Sequence, residues 1–194
     1  MKDDSYARQY LRRSQEVVEK YLSAGMPGLP ELVETTVTTL RGGHKILIFG
    51  NGGSAADAQH LACEFVNRYL LKSRKALPAV ALTTDTSIIT CAGNDFGFDQ
   101  IFSRQIEALA VKGDLAVGLS TSGGSPNVLA ALAEARKRGC FTAGFTGGHG
   151  AALADLCDHL LAAPDDLTPV IQQFHITLGH LWVDLVERRL AEKQ

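Results

Sequence analysis

The sequence predicts an α/β fold: a doubly wound, five-stranded parallel sheet flanked by helices, with extra N-terminal helices and a long C-terminal helix. Two observations support this prediction. Five short apolar runs recur along the chain, and stretches with helical spacing separate them. The runs are continuously apolar rather than alternating, which indicates strands buried on both faces. Strands that alternate with helices are typical of a layered α/β fold with right-handed crossovers.

Two helices are predicted before the sheet begins. Aromatic and apolar side chains recur at helical spacing from residue 5 to about residue 24, where the sequence G-M-P-G-L-P ends the pattern. A second helix, from about residue 30 to residue 40, ends at a Gly-Gly pair. Both helices are additional to the sheet, and their apolar faces need a partner. We therefore expect one domain over residues 1–194, in which residues 1–43 form a helical extension used in oligomerisation.

The predicted strands follow this extension, and each is an apolar run of five residues. They cover residues 45–49, 78–82, 115–119, 141–145 and 159–163. Helices are predicted at residues 54 to about 69, 98 to about 111, 125–138, 151–157 and about 168–191.

Composition excludes several classes of protein. The formal charge of −2 arises from 19 basic and 21 acidic residues without a basic stripe, which argues against a nucleic-acid partner. No apolar run approaches the roughly 20 residues of a membrane span, and the polar N-terminus is unlike a signal peptide, so a cytoplasmic location is expected. The four cysteines lack the spacing of a disulfide framework or a cysteine zinc site.

The first glycine-rich loop, residues 50–55, reads G-N-G-G-S-A between a predicted strand and a predicted helix. It satisfies the dinucleotide pattern G-x-G-x-x-A, but residues 70–75 lack the carboxylate which that interpretation requires. Glycines let the backbone approach a ligand closely, and the N–H groups of the following helix attract anions. The alternative is a tight turn that only packs the helix on the strand.

The second glycine-rich loop, residues 120–125, reads S-T-S-G-G-S and precedes Pro126, which is favoured in a first helical turn. Its hydroxyl groups and the helix N-terminus supply neutral donors and a positive dipole. Without a lysine it is not a Walker-type loop, and it suits a phosphate monoester instead. An ordinary turn with Ser125 as N-cap is the alternative. Two such loops at the carboxyl ends of strands favour ligand binding.

Two helices carry candidate metal ligands or acid–base groups. Asp57, His60 and Glu64 are separated by three and four residues, which places His60 and Glu64 on one helix face. In the C-terminal helix, Gln172 and His180 lie eight residues and about 80° apart. Imidazole and carboxylate groups suit Zn²⁺. The alternative is a surface His/Glu pair, because nothing local in the sequence brings the two helices together.

Four segments carry a resemblance to a known family. They read G-N-G-G-S-A-A-D-A-Q-H-L-A-C-E-F, A-L-T-T-D-T-S, G-N-D-F-G-F-D-Q-I-F-S-R-Q and S-T-S-G-G-S-P-N. Together they resemble the phosphoheptose isomerases, a branch of the sugar isomerase (SIS) fold. The resemblance extends from about residue 45 into the C-terminal helix.

The resemblance implies a homotetramer with one Zn²⁺ per subunit. Its implied activity is the conversion of sedoheptulose 7-phosphate to D-glycero-D-manno-heptose 7-phosphate, the first step toward activated heptose for lipopolysaccharide or capsule. The implied metal ligands are His60, Glu64, Gln172 and His180. The implied substrate contacts are Asn51, Gly52, Gly53, Glu64, Arg68, Asn94, Asp95, Ser120, Thr121, Ser122, Ser125 and Gln172.

Aldose–ketose isomerisation through an enediol needs a base poised near neutral pH and an electrophile at the developing oxyanion. We expect Glu64 to be the base and His180 the partner acid or base. The alternative is a non-catalytic SIS binding protein of the replication-initiator-associating type, which lacks parts of this His/Glu set.

One segment departs from the family: where R-I-Q-E or K-I-Q-E is usual, residues 170–173 read V-I-Q-Q. Gln172, His175 and His180 keep their places.

Overall fold

A parallel sheet of five strands forms the centre of the computed structural model, which describes residues 2–192. The spatial order is β2-β1-β3-β4-β5, and every neighbouring pair is parallel, which confirms the predicted sheet. The strands are β1 (Ile46–Gly50), β2 (Ala79–Ala81), β3 (Leu115–Ser120), β4 (Phe141–Thr146) and β5 (His159–Ala162).

Helices connect and cover these strands, largely where the sequence places them. They are α1 (Lys2–Ser23), α2 (Leu29–Arg41), α3 (Gly53–Val66), α4 (Thr86–Phe96), α5 (Ser103–Leu109), α6 (Pro126–Lys137), α7 (Ala151–Ala154) and α8 (Thr168–Ala191). None of the helices between residues 2 and 192 combines the length and apolar character that a membrane span requires.

Two elements differ from the prediction. The helix expected at residues 98–111 is a short 3₁₀ turn, Phe98–Gln100, followed by α5. Helix α4 was not predicted at all. Its sequence is rich in β-branched residues, which have a low helix propensity, and only Ala92 is buried. A cap defines its start instead, because Asp85 Oδ1 accepts from the backbone N–H of Ile88 at 2.9 Å.

Alternate strand residues supply two separate cores. Ile46 and Ile48 pack with α1, α2, α3 and α8 on one face of the sheet. Leu47 and Phe49 pack with α4, α5, α6 and α7 on the other. Both faces are therefore covered, as expected of a doubly wound sheet.

The N-terminal helices pack against α8 within the same chain. The Tyr21 ring meets Phe174 edge-on at 5.0 Å, and Trp182 Nε1 donates to Thr36 Oγ1 at 2.9 Å. Part of the apolar surface of the extension is thus covered without a second subunit.

Candidate functional site

The two glycine-rich loops meet where the strand order reverses. Strand β1 lies between β2 and β3, so the connections after β1 and β3 leave in opposite directions. Gly50 is opposite Leu119 in the register, which places residues 50–55 beside residues 120–125 at the carboxyl edge. In open α/β sheets this crevice is where ligands bind.

Two asparagines join the loops directly. Asn51 Nδ2 donates to Asn127 Oδ1 at 2.8 Å, and Asn127 Nδ2 donates back to Asn51 Oδ1 at 2.9 Å. Asn127 is buried, so these bonds have little competition from water. Asn127 directly follows the second loop and Pro126, but no role for it is predicted from the sequence.

Hydroxyl groups converge within the second loop. Ser120 Oγ lies 2.9 Å from Ser125 Oγ and 3.5 Å from Ser122 Oγ. Ser125 is the N-cap residue of α6, but its side chain makes no capping bond. Within residues 2–192 the backbone N–H groups of Ser122 and Ser125 donate to no acceptor. The loop therefore presents hydroxyl and amide donors at a helix N-terminus, which suits an anion.

Tight packing explains one glycine in this loop. Gly123 has φ +68°, and a Cβ there would lie 2.3 Å from the Gly150 Cα. The loop is held to the segment after β4 by a second contact, in which the Gly147 N–H donates to the Thr121 carbonyl at 3.0 Å. Only glycine accommodates both the backbone angle and the close approach.

The first loop contacts the C-terminal helix. A Cβ on Gly53 would lie 2.6 Å from Gln172 Nε2, so the carboxamide of Gln172 rests on this glycine. Gln172 and Gly53 at the start of α3, which the resemblance implies are both substrate contacts, are therefore neighbours.

Helices α3 and α8 run side by side in the same direction. Successive contacts join residues about 118 apart in sequence: Gly53 with Gln172, Leu61 with Gly179, Phe65 with Trp182 and Tyr69 with Glu187. At Gly179 the approach is close, since a Cβ there would lie 2.5 Å from Leu61 Cδ2. This packing supplies the long-range pairing that the sequence left open.

The pairing brings three candidate residues into one cluster. His60 Nε2 lies 2.8 Å from His180 Nε2 and 3.5 Å from Glu64 Oε1. One imidazole must donate and the other accept, because two neutral nitrogens share a single proton. The His60 side chain is 47% exposed and the Glu64 side chain 21%, so the cluster is open to a ligand.

Zinc fits the chemistry of this donor set with a small adjustment. No group of three His, Cys, Asp or Glu side chains within residues 2–192 is already arranged to hold a metal ion. Two nitrogens bound tetrahedrally at zinc distances lie about 3.3 Å apart, so the His60 and His180 rings would separate by about 0.5 Å. The two Nε2 atoms face each other at 2.8 Å, and the carboxylate of Glu64 lies 3.5 Å from the His60 nitrogen.

Asp57 lies one turn before His60 on α3. Its Oδ2 atom is buried without a hydrogen-bond partner in the described chain. Burial raises the pKa of the Asp57 carboxyl, and the nearby His60 opposes that rise.

Three expected substrate contacts are not joined to the loops. Asn94 and Asp95 are exposed, and Asn94 Nδ2 donates to Asp95 Oδ1 at 2.7 Å. No hydrogen bond or ion pair between residues 2 and 192 connects them to either loop. Arg68 is exposed just after α3. Their substrate roles stay predictions.

Two positions depart from the family in residues 170–173: Val170 is buried in the core, and Gln173 has polar partners. Ser14 Oγ donates to Gln173 Oε1 at 2.8 Å, and Gln173 Nε2 lies 2.9 Å from the Tyr10 hydroxyl. Gln173 therefore joins α8 to α1 through neutral hydrogen bonds, in place of the usual carboxylate.

The comparisons with known proteins agree with this geometry. The SIS domain family matches residues 9–147. A phosphoheptose isomerase from Geobacter sulfurreducens is 53% identical over 179 residues, covering 92% of this chain and 93% of that protein. One from a Bradyrhizobium species is 48% identical over 191 residues, covering 97% and 96%. The structure of phosphoheptose isomerase GmhA from Neisseria gonorrhoeae is 38% identical, with a TM-score of 0.89 and coverage of 95% and 98%. The chain belongs to the phosphoheptose isomerases of the SIS domain family.

Proposed function

We propose that this protein converts sedoheptulose 7-phosphate to D-glycero-D-manno-heptose 7-phosphate in the cytoplasm, as the first step toward activated heptose for lipopolysaccharide or capsule. One observation carries the proposal. The His60, Glu64 and His180 side chains cluster between α3 and α8, and α3 begins at the first loop of the phosphate-binding crevice. A non-catalytic binding protein would need the crevice but not this cluster.

The second loop anchors the substrate phosphate. The hydroxyls of Ser120, Thr121, Ser122 and Ser125 and the N-terminus of α6 supply the donors. The first loop holds the sugar chain through Asn51, Gly52 and Gly53. Carbon-1 and carbon-2 then lie toward the cluster on α3 and α8. Arg68, Asn94 and Asp95 are further substrate contacts, carried over from the family motif.

Glu64 moves the proton between carbon-1 and carbon-2. A carboxylate is suited to this step as a general base. Its Oε1 lies 3.5 Å from His60 Nε2, and His60 Nε2 lies 2.8 Å from His180 Nε2. His180, which reaches Glu64 through His60, is the partner acid or base. The intermediate is an enediol, and donors aimed at its oxygen lower the barrier to reaching it.

Zinc is the proposed cofactor, one ion per subunit. His60, Glu64, Gln172 and His180 would hold it, which adds an amide oxygen to the two imidazoles and the carboxylate. When bound, the ion would polarise the carbonyl and hydroxyl oxygens as a Lewis acid.

The test is to incubate purified protein with sedoheptulose 7-phosphate and follow the aldose product by NMR. Glu64→Gln keeps the shape of the side chain but removes the base, so we expect kcat to fall by about 10²-fold or more. Glu19→Gln, on the exposed surface of α1, is the matched control and should leave kcat unchanged. Near-normal turnover by Glu64→Gln would refute the assignment. Substrate binding without product formation by the unaltered protein would favour the non-catalytic alternative.

We also propose a homotetramer assembled partly through α1. Leu11, Val18 and Leu22 are 63%, 37% and 55% exposed and lie seven and four residues apart on one face of the helix. Light scattering should give four times the 20.8 kDa mass of the chain. Charged substitutions at Leu11 and Leu22 should dissociate the assembly, and a mass that does not change would exclude this face.

A further inference from the structure

The segment that follows α3, residues 67–77, is anchored by a buried carboxylate. Glu187 of α8 is fully buried and accepts from the backbone N–H groups of Tyr69 at 2.8 Å and of Leu70 and Leu71 at 3.0 Å. Arg74 adds an ion pair to the same carboxylate. Burial alone would raise the pKa of the Glu187 carboxyl, but these donors together lower it, so the group is ionised at neutral pH.

Arg74 also ties this carboxylate to the catalytic helix. Its Nε donates to Glu187, and its Nη2 donates to the backbone carbonyl of Glu64. That carbonyl lies in the last turn of α3, where no further helical N–H can satisfy it. The guanidinium therefore caps α3 and links it to α8 beside the cluster.

The anchored segment places an aromatic ring on His180. The Tyr69 and His180 rings stack at 5.4 Å between centroids with an interplanar angle of 17°. His60 approaches the same imidazole edge-on at 4.9 Å and 63°. Rotation of His180 about its side-chain bonds would break the stack, so the Tyr69 ring restricts where His180 Nε2 points.

We propose that Tyr69 is a positioning residue for His180, and that the buried Glu187–Arg74 pair holds Tyr69 in place. The contact that matters is the ring face, because the Tyr69 hydroxyl forms no hydrogen bond within residues 2–192. The proposal rests on the proposed function for its effect on turnover, since there His180 is the acid–base partner of Glu64.

The first test replaces the ring and compares two properties. Tyr69→Phe keeps the stacked face and should retain kcat and KM within about twofold, whereas Tyr69→Leu should lower kcat about tenfold or more with little change in KM. Tyr6→Leu, at an exposed position on α1, is the matched control. Equal kcat in the Tyr69→Phe and Tyr69→Leu variants would overturn the proposal. So would a rise in KM without a fall in kcat.

The second readout does not depend on isomerase activity. In metal-free protein, the Tyr69 ring current should displace the His180 ring-proton NMR signal upfield, with the signal assigned by its loss in His180→Asn. The displacement should persist in Tyr69→Phe and disappear in Tyr69→Leu. A signal that is the same in all variants refutes positioning. Absence of turnover in the unaltered protein would refute only the proposed function.

A third variant tests the supporting pair, and it also serves if Tyr69→Leu fails to fold. Arg74→Lys keeps the charge but loses the planar fork that reaches two acceptors. It should lower kcat and shift the His180 signal in the same direction as Tyr69→Leu. Addition of Arg74→Lys to Tyr69→Leu should cost little further kcat, because both changes act through one contact. Fully multiplicative losses would show that the pair does not act through Tyr69.

Discussion

His175 makes the folded protein sensitive to acid in a pH range where most carboxylates do not yet titrate. It is fully buried on α8, and its Nε2 lies 3.0 Å from the Thr146 carbonyl. A carbonyl can only accept, so Nε2 carries the proton, and Nδ1 is left without a partner among the described residues. Burial lowers the pKa of His175 from 6.5 to about 4, and the hydrogen bond to Thr146 opposes that shift.

The direction of the pH effect follows from this depressed pKa. In the unfolded chain His175 takes up a proton below pH 6.5, whereas in the folded chain it stays neutral until about pH 4. Acid therefore favours the unfolded state, and the stability present above pH 6.5 is lost as the pH falls toward 4. Between pH 7 and pH 5 the loss is about 2 kcal/mol, and it approaches roughly 3 kcal/mol below pH 4.

Urea unfolding of metal-free protein, at one protein concentration, measures this loss at pH 7 and pH 5. His175→Gln can still donate to the Thr146 carbonyl but does not titrate, so it should lose about 2 kcal/mol less than the unaltered protein over that interval. Other titrating groups cancel in the comparison. His149→Gln, in an exposed loop, should behave like the unaltered protein. An identical loss with Gln at position 175, or an NMR titration of His175 near pH 6.5, would refute the reasoning.

Three further substitutions test the loops. Gly53→Ala should displace the Gln172 carboxamide and lower the affinity for zinc about 10-fold or more without destabilising α3. An unchanged affinity for zinc would contradict this expectation. Asn127→Ala removes the reciprocal hydrogen bonds to Asn51, which should lower the free energy of unfolding by about 1 to 3 kcal/mol and raise KM about tenfold. An unchanged KM would show that other contacts hold the two loops in place. Gly123→Ala strains a residue at φ +68° and should lower the midpoint of thermal unfolding, while an unchanged midpoint would show that the loop adapts.

The sheet and both loops could be predicted because their signals are local. A buried parallel strand is a continuous apolar run, and each loop is a short string of glycine and hydroxyl residues directly after one. Helix α4 was missed for the opposite reason. Its local signals are weak, because β-branched residues and the run G-N-D are poor helix formers and the cap at Asp85 is a weak signal on its own.

The cluster could be predicted only in part. The spacing places His60 and Glu64 on one face of one helix, and it places Gln172 and His180 about 80° apart on another helix, where both can face one site. Their meeting depends on contacts about 118 residues apart, and the glycine that permits it, Gly179, has no local signature. The spacing of residues could not predict that α3 and α8 bring their candidate residues together. Only the resemblance to a family implied that pairing.

Helix α8 fixes the relation between the parts of the site because it contacts each of them. Gln172 rests on the first loop, and His175 binds the carbonyl of Thr146, whose neighbour Gly147 donates to the second loop. Two turns beyond Gln172, His180 meets His60. Residues on one helix keep constant separations, so about 12 Å along the axis lies between Gln172 and His180. The separation between the first loop and the His60–His180 contact is thus set by the length of a rigid element, and not by the connections around it.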